Sequence, residues 1–183
     1  HAAAGGVGQW LVQVCAAAGA TVVATAGSPE KLALARELGA AHTLDYTAYA
    51  SPAALAGAVR EATGGTGVAV AYDGVGKATF DASLSSLRRR GMLVLFGGSS
   101  GQVPPVDLQR LNAAGSVFVT RPTLAHYVAD REELLWRAGE VFDALVSRRV
   151  RLQVGGEFSL DQATAAYGAL EGRASTGKLI FRI

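Results

Sequence analysis

The sequence predicts one α/β domain, residues 1–183, built on a doubly wound and mostly parallel sheet. Two observations support this prediction: short apolar runs that end in turn residues alternate with helical patterns, and a glycine-rich loop opens the first helix. Such alternation is typical of a parallel sheet that is covered by helices on both faces. The clearest strand patterns are TVVATAG (21–27), HTLDY (42–46), VAVAYDG (68–74) and MLVLFGG (92–98).

The chain opens with HAAAGGVG, a variant of the G-x-G-x-x-G loop in which Ala3 takes the first glycine position. Gly5 lets a pyrophosphate approach the backbone, and Gly8 lets the following helix, Val7 to Ala18, pack closely on a sheet. The free N–H groups and the positive dipole end of that helix favour an anion. The loop is therefore a candidate dinucleotide site of the Rossmann type, although small-residue loops also serve as plain turns.

A loop of this kind normally follows a buried central strand, and no strand pattern precedes it here. That strand lies in the middle of a sheet of order 3-2-1-4-5-6. If it held about four apolar side chains at roughly 1.5 to 3 kcal/mol each, its loss would rival the stability of a whole domain. We therefore expect a sheet that lacks its first central strand, and a chain that is part of a longer protein.

Helix starts are marked by two Ser-Pro pairs. Ser28 and Ser51 each stand as an N-cap before a proline at the first helical position. The helix at Arg131 to Val146 has apolar residues at core-facing spacing, which predicts a packing role. The predicted helices after the first are Pro29 to Leu38, Pro52 to Thr63, Thr79 to Leu87, Arg131 to Val146 and Asp161 to Leu170, and the final strand is Lys178 to Ile183.

Composition favours a soluble domain with no general affinity for nucleic acid or for a membrane surface. Lys and Arg total 17 against 15 Asp and Glu, so the net charge is +2. No apolar stretch is long enough to span a bilayer. The single cysteine, Cys15, excludes an internal disulfide and a cysteine-rich zinc cluster, which agrees with a cytoplasmic location. The three histidines are scattered, so no metal site is predicted.

The segment after TVVATA predicts which nucleotide is preferred. An NAD site of this type usually carries an acid there, but the sequence reads Gly27-Ser28, with Lys31 in the first turn of the next helix. A charge-assisted contact contributes roughly 1.5 to 3 kcal/mol, which is enough for one lysine to set NADPH over NADH. A solvated helix lysine, a plain N-cap serine and, at Tyr46, a half-buried strand tyrosine are the structural alternatives.

The chain resembles the cofactor-binding half of zinc-independent quinone oxidoreductases, in the medium-chain dehydrogenase/reductase superfamily. Seven stretches carry the resemblance, in family order along nearly the whole chain. They are HAAAGGVG, GSPEK (27–31), DY (45–46), YDGVG (72–76), RRGMLVLFGGSSG (89–101), GSVFVTRP (115–122) and GRASTGK (172–178).

The resemblance implies NADPH as cofactor, no metal and no catalytic residue within this chain. It departs from the family at Gly74 and Gly98, where relatives can carry a polar side chain. The implied contacts are Gly5, Gly6 and Val7 at the pyrophosphate; Gly27, Ser28, Lys31 and Tyr46 at the 2′-phosphate; Val75, Phe96, Gly97 and Ser99 beside the nicotinamide; and Arg173 at a further phosphate.

The implied activity is hydride transfer from NADPH to quinones or related conjugated carbonyl compounds. In relatives the acceptor is held mainly by a β-rich domain that is absent here, so we expect the chain alone to bind NADPH with little turnover. The alternatives are an enoyl reductase domain of a multidomain synthase and a non-catalytic NADPH-binding sensor or structural module.

The resemblance also implies a homodimer. The β-branched run Ser116 to Thr120 predicts an uncovered edge strand that pairs with a second copy of the chain. The alternative is a monomer in which Ala125 to Arg149 folds over that edge.

Overall fold

A computed structural model describes residues 1–172 and 176–183. Short 3-10 helices at Tyr46–Ala48, Leu124–His126 and Leu160–Gln162 lie between the main elements. The main elements are, in chain order, α1 (Gly6–Ala17), β1 (Val23–Ala26), α2 (Pro29–Glu37), β2 (His42–Asp45), α3 (Pro52–Ala62), β3 (Val68–Asp73), α4 (Phe80–Ser86), β4 (Leu87–Leu95), α5 (Gln109–Ala113), β5 (Phe118–Thr120), α6 (Arg131–Val146), β6 (Val154–Phe158), α7 (Ala163–Glu171) and β7 (Lys178–Phe181).

The described strands form three sheets. β1 pairs with β2, β4 lies between β3 and β5, and β6 pairs with β7. Every one of these pairings is parallel. Parallel strands connected through helices confirm the predicted fold class.

A cavity of about 410 Å³ lies between β1 and β3. Residues 22–25 line one side and residues 68–72 line the other, while Val12 and Cys15 of α1 contribute a third wall. These are the two strands that were expected to flank the first central strand. The order β2, β1, cavity, β3, β4, β5 therefore matches the predicted order on both sides of that position.

Residues 1–3 join the two sheets at one end of this cavity. The Ala3 amide donates to the Thr25 carbonyl of β1 at 3.1 Å. The amino group of His1 donates to the Tyr72 carbonyl of β3 at 3.1 Å. Residues 1–3 thus bond to both sheets near the carboxyl ends of β1 and β3.

The core has two parts, one on the sheet of β1 and β2 and one on the sheet of β3, β4 and β5. The smaller part packs α1 and α2 on β1 through Val12, Ala24 and Ala35. The larger part packs α4 on β3 and β4. Its buried members are Ala71, Phe80, Leu84, Leu87, Leu93, Leu95 and Val117.

The Ser-Pro helix starts are confirmed. Ser28 caps α2, since its hydroxyl oxygen accepts from the Lys31 amide at 3.4 Å. Ser51 caps α3 by accepting from the Ala54 amide at 3.1 Å. Both helices end one residue before their predicted ends, because Leu38 and Thr63 are the C-cap residues.

The predicted start of the strand at Met92 was wrong. β4 begins at Leu87, where the sequence predicts the end of a helix, and it includes the three arginines at 88–90. The register shifts between the Val68–Leu87 pair and the Val70–Met92 pair. Arg90 adopts a φ of 57° within that irregular stretch. Because the bulge interrupts the alternation of apolar residues, period alone does not reveal the first part of this strand.

The helix at Arg131 to Val146 has the predicted bounds, but the predicted packing of its apolar face was wrong. Leu134, Leu135 and Phe142 are exposed, and Ala144 is the buried position of α6. Helical spacing identifies an amphipathic face and gives no information about what covers it. The strand β6 was not predicted, because its sequence VGGEF lacks an apolar alternation.

Two neighbouring residues of β4 allow a test of the larger core. Leu93 is 0% exposed, whereas Met92 is 39% exposed. We expect Leu93→Ala to lower the free energy of unfolding by about 2 to 5 kcal/mol, because it leaves a cavity under α4. Met92→Ala should lower it by less than about 1 kcal/mol. Urea denaturation followed by circular dichroism measures both, and equal losses would contradict the assigned core.

Candidate functional site

A second cavity, of about 490 Å³, lies at the carboxyl ends of β1, β2 and β3. This is the edge at which doubly wound sheets bind their ligands. Gly27, Lys31 and Tyr46 form one wall, and the glycine loop forms the base. The opposite wall contains Val75, Ala78, Thr79, Ser99 and Ser100.

The first turn of α1 presents backbone N–H groups at the base of the cavity. Gly5 is the N-cap residue, and neither a side-chain cap nor an acidic residue occupies the first turn. The leading N–H groups of the helix therefore lack a side-chain acceptor, and the dipole places positive potential beside Gly5 and Gly6. Both glycines line the cavity.

Gly8 permits a sharp turn of the loop. A Cβ at this position would lie 2.2 Å from the Ala2 carbonyl oxygen and 2.8 Å from the Ala3 Cα. The expected close approach at Gly8 is therefore present, but its partner is the backbone of the loop itself. This contact holds the first turn of α1 against residues 2–3, which in turn bond to β1.

Gly27, Tyr46 and Lys31 come together on one wall, as the sequence predicts. The Tyr46 hydroxyl oxygen lies 2.6 Å from the place where a Cβ of Gly27 would be, so the phenol lies directly over the glycine. Tyr46 is the first residue of a 3-10 helix and follows the end of β2. Its hydroxyl and the Lys31 ammonium thus belong to the same corner of the cavity.

The charged side chain in this corner is a lysine. Among the described residues that line the cavity, Lys31 is the only lysine, arginine, aspartate or glutamate. Two acids near this corner in the chain, Glu30 and Asp45, each accept hydrogen bonds that lower the pKa of the carboxyl. A hydrogen bond from its own backbone amide and one from Ser28 lower the pKa of the Glu30 carboxyl. The hydroxyl and amide of Thr47 lower the pKa of the Asp45 carboxyl.

The opposite wall consists of two loops in backbone contact. A Cβ at Gly74 would lie 2.8 Å from the Phe96 ring, and a Cβ at Gly97 would lie 2.4 Å from the Gly74 carbonyl oxygen. The Ser99 amide donates to the same carbonyl at 3.3 Å. The loops after β3 and β4 therefore touch without an intervening side chain, which explains glycine at position 74 in physical terms.

The predicted site residues fall into four groups. Those that line the cavity are Gly5, Gly6, Gly27, Lys31, Tyr46, Val75 and Ser99. Val7 and Ser28 lie next to lining residues in the chain, while Phe96 and Gly97 pack behind the wall on Gly74. Arg173 lies outside the described residues.

Lys178 was missed by the sequence analysis. Its Cδ, Cε and Nζ lie 3.2, 3.3 and 3.3 Å from the place where a Cβ of Gly6 would be. The start of β7 brings it there, because the Gly177 amide donates to the Ala4 carbonyl at 3.3 Å. The only sequence signal was its place at the end of GRASTGK, which does not show that the final strand returns to the first helix.

Three further features of the described residues concern metal ligands, the single thiol and helix length. Within residues 1–172 and 176–183, no group of three or more His, Cys, Asp or Glu side chains is placed to hold a metal ion. Burial raises the pKa of the Cys15 thiol, which keeps it protonated and agrees with a packing role. No helix in this part of the chain combines the length and apolarity that a membrane span requires.

Sequence comparison identifies the family. The profile of the zinc-binding dehydrogenase family matches residues 6–133. The chain belongs to the zinc-binding dehydrogenase family. Its match with curated relatives is to the cofactor-binding half of quinone oxidoreductases in the medium-chain dehydrogenase/reductase superfamily, which confirms the resemblance.

Curated relatives match nearly the whole chain. A 2-haloacrylate reductase from a Burkholderia species is 40% identical over 181 residues, which are 98% of this chain and 53% of that protein. The quinone oxidoreductase of Pseudomonas aeruginosa is 41% identical over 180 residues, 98% of this chain and 54% of that protein. The chain thus spans about half the length of the curated relatives it matches.

Solved structures give the same result. A mycobacterial protein complexed with NADPH superposes with a TM-score of 0.95 at 50% identity, covering 100% of this chain and 56% of that one. The Escherichia coli quinone oxidoreductase complexed with NADPH superposes with a TM-score of 0.93 at 39% identity, with the same coverage of 100% and 56%.

The role of Gly8 can be tested against a second helical glycine. We expect Gly8→Ala to destabilise the chain by about 1 to 3 kcal/mol, since its Cβ would overlap backbone atoms that have no room to move. Nothing lies within 4 Å of a Cβ at Gly57 in α3. Gly57→Ala should therefore stabilise the fold by about 0.4 to 1 kcal/mol. Thermal unfolding measures both, and a neutral Gly8→Ala would overturn the turn geometry.

Proposed function

We propose that this chain is the NADPH-binding half of an oxidoreductase that reduces quinones or related conjugated carbonyl compounds. The observation that carries the proposal is a cavity at the carboxyl ends of the strands whose only described Lys, Arg, Asp or Glu side chain is Lys31. The relatives whose names are quinone oxidoreductase, and the neighbours solved with NADPH, support the same assignment.

The adenosine end of the dinucleotide would lie on the wall made by Gly27, Lys31 and Tyr46. The Lys31 ammonium would neutralise the 2′-phosphate, and the Tyr46 hydroxyl would donate to it. Ser28 has its hydroxyl oxygen in the α2 cap and its hydroxyl hydrogen on the Glu30 carboxyl, so it would have to give up the bond to Glu30 to donate to the phosphate. Arg173 stays a predicted phosphate contact.

The pyrophosphate would lie over the first turn of α1, at Gly5, Gly6 and the amide of Val7. Lys178 extends along Gly6 at this place, so a cation stands beside the positive end of a helix dipole. Two like charges at one position repel unless an anion lies with them. We therefore add Lys178 to the proposed contacts of the pyrophosphate.

The nicotinamide would lie against Val75 and Ser99, with Phe96 and Gly97 behind them. Bound NADPH supplies a hydride from its nicotinamide ring. The task of this chain would be to orient that ring, because direct hydride transfer depends on position and the described side chains on this wall are apolar groups and hydroxyls. The groups that hold the acceptor would belong to the remaining part of the protein, so the chain alone should turn over slowly.

Reduction of an enoyl thioester is the second candidate. A phthioceranic/hydroxyphthioceranic acid synthase of Mycobacterium bovis is 30% identical over 191 residues, which are 8% of that protein. Quinones and enoyl groups are both electron-poor conjugated acceptors of hydride. Identities of about 40% to quinone oxidoreductases over most of the chain favour the quinone class.

Calorimetric titration with NADPH and NADH tests the cofactor assignment. The wild type should bind NADPH more tightly, and Lys31→Ala should lose about 10- to 100-fold in NADPH affinity while its NADH affinity stays the same. Lys178→Met should weaken both nucleotides by the same factor, because both carry the pyrophosphate. Equal binding of both nucleotides by the wild type, unchanged by Lys31→Ala, would refute the proposed 2′-phosphate contact.

We also propose that the protein is a cytoplasmic homodimer that pairs through β5. β5 has β4 as its neighbour on one side, and its Phe118 is 57% exposed. Val119 is exposed as well, and no other strand of the described residues pairs with the free edge of β5. An uncovered strand presents unpaired N–H and C=O groups to a second copy.

Charge on the β5 edge should prevent this dimer. We expect Phe118→Lys in the full-length protein to shift the mass from a dimer to a monomer, because lysine is poorly tolerated between paired edges. Val146→Lys is the control, since Val146 is 84% exposed at the end of α6. Light scattering at micromolar concentration measures the mass. A wild type that is monomeric there would refute the dimer.

A further inference from the structure

Asp73 is a buried acid that lies two residues before Val75 and does not itself line the candidate cavity. It is the last residue of β3 and is 0% exposed. A carboxylate in such a place is costly unless hydrogen bonds replace its hydration. The donors to this carboxylate therefore identify the segments that it holds in place.

The carboxylate of Asp73 accepts from four donors. Its Oδ1 accepts from the Val75 amide at 2.8 Å and from the Gly76 amide at 3.0 Å. The Thr79 hydroxyl donates to the carboxylate at 2.8 Å, and the Ser83 hydroxyl donates to Oδ2 at 2.7 Å. One oxygen thus holds the loop after β3, and the other is anchored on α4.

The backbone of Asp73 holds the second loop. Its carbonyl oxygen accepts from the Phe96 amide at 2.9 Å and from the Gly97 amide at 3.3 Å. The Ser100 hydroxyl donates to the Val75 carbonyl at 2.7 Å, which closes the connection between the loops. The same residue therefore fixes both loops that form the wall of Val75 and Ser99.

We propose that Asp73 is the positioning residue for the nicotinamide half of the bound dinucleotide. It acts through Val75 and through the loop at 96–100, and it touches no cofactor atom itself. The proposal rests on the proposed NADPH site. It assigns the two ends of the ligand to different residues of that site. Lys31 and Tyr46, which follow β1 and β2 in the chain, hold the adenosine end. Asp73 positions the wall for the nicotinamide end, which the loops after β3 and β4 form.

Loss of the carboxylate should weaken binding of the nicotinamide half of the ligand and leave binding of the adenosine half nearly unchanged. Asp73→Ala leaves the Val75 and Gly76 amides without their acceptor, so the loop should lose its fixed orientation. We expect the NADPH affinity to fall about tenfold or more. The affinity for 2′,5′-ADP, which lacks the nicotinamide, should change less than about twofold. Asp73→Asn should retain most of the wild-type NADPH affinity, because the amide oxygen of asparagine can accept from the same two backbone amides.

Ser83→Ala is the matched control. It removes a donor from the α4 side of the carboxylate and leaves the loop amides bonded. A purely structural role of Asp73 predicts that Asp73→Ala and Ser83→Ala change only stability, and that the ratio of NADPH to 2′,5′-ADP affinity stays constant in both. That constant ratio would overturn the proposal.

Calorimetric titration separates this proposal from the proposed function. A wild type that binds neither ligand refutes the NADPH site itself. If Asp73→Ala does not fold, amide hydrogen exchange of the wild type decides. We expect NADPH to slow exchange at Val75 and Gly76 more than 2′,5′-ADP does, and equal slowing by both ligands would overturn the positioning role.

Discussion

Residues 1–3 form hydrogen bonds to both of the sheets that carry the walls of the candidate site. The Ala3 amide donates to β1 and the His1 nitrogen donates to β3, so these residues contact the sheets on both sides of the position expected for the first central strand. The walls of the cofactor cavity belong to different sheets, with Gly27 on one and Val75 on the other. The glycine loop that opens α1 lines the same cavity, between these two walls.

Local signals in the sequence predicted the elements that local chemistry determines. Ser28 and Ser51 start their helices because the cap and the following proline act within one turn. The segment Val154–Phe158 has no such signal. It becomes a strand because β7 lies beside it, and a Cβ at Gly177 would lie 2.3 Å from the Gln153 carbonyl oxygen. Pairing between distant segments is not encoded in local periodicity.

The candidate site shows the same division. The motifs predicted that Gly5, Gly27, Lys31 and Tyr46 meet, because the carboxyl ends of parallel strands share one edge. The contribution of Lys178 depends on the path of the last strand, which the motif does not specify. The sequence analysis did not assign a role to Asp73, because an acid after apolar residues is typical of an ordinary strand end. Its burial and its four donors exist only in the folded chain.

The contact between Gly74 and Phe96 has a consequence for how such proteins diverge. An aromatic ring already fills the space in which a side chain at position 74 would stand. A homologue that acquires serine or asparagine there needs the ring to turn aside or to be replaced by a smaller group. Either change alters the packing of the loop after β4, so an exchange at position 74 is transmitted to the opposite loop through the residue at position 96.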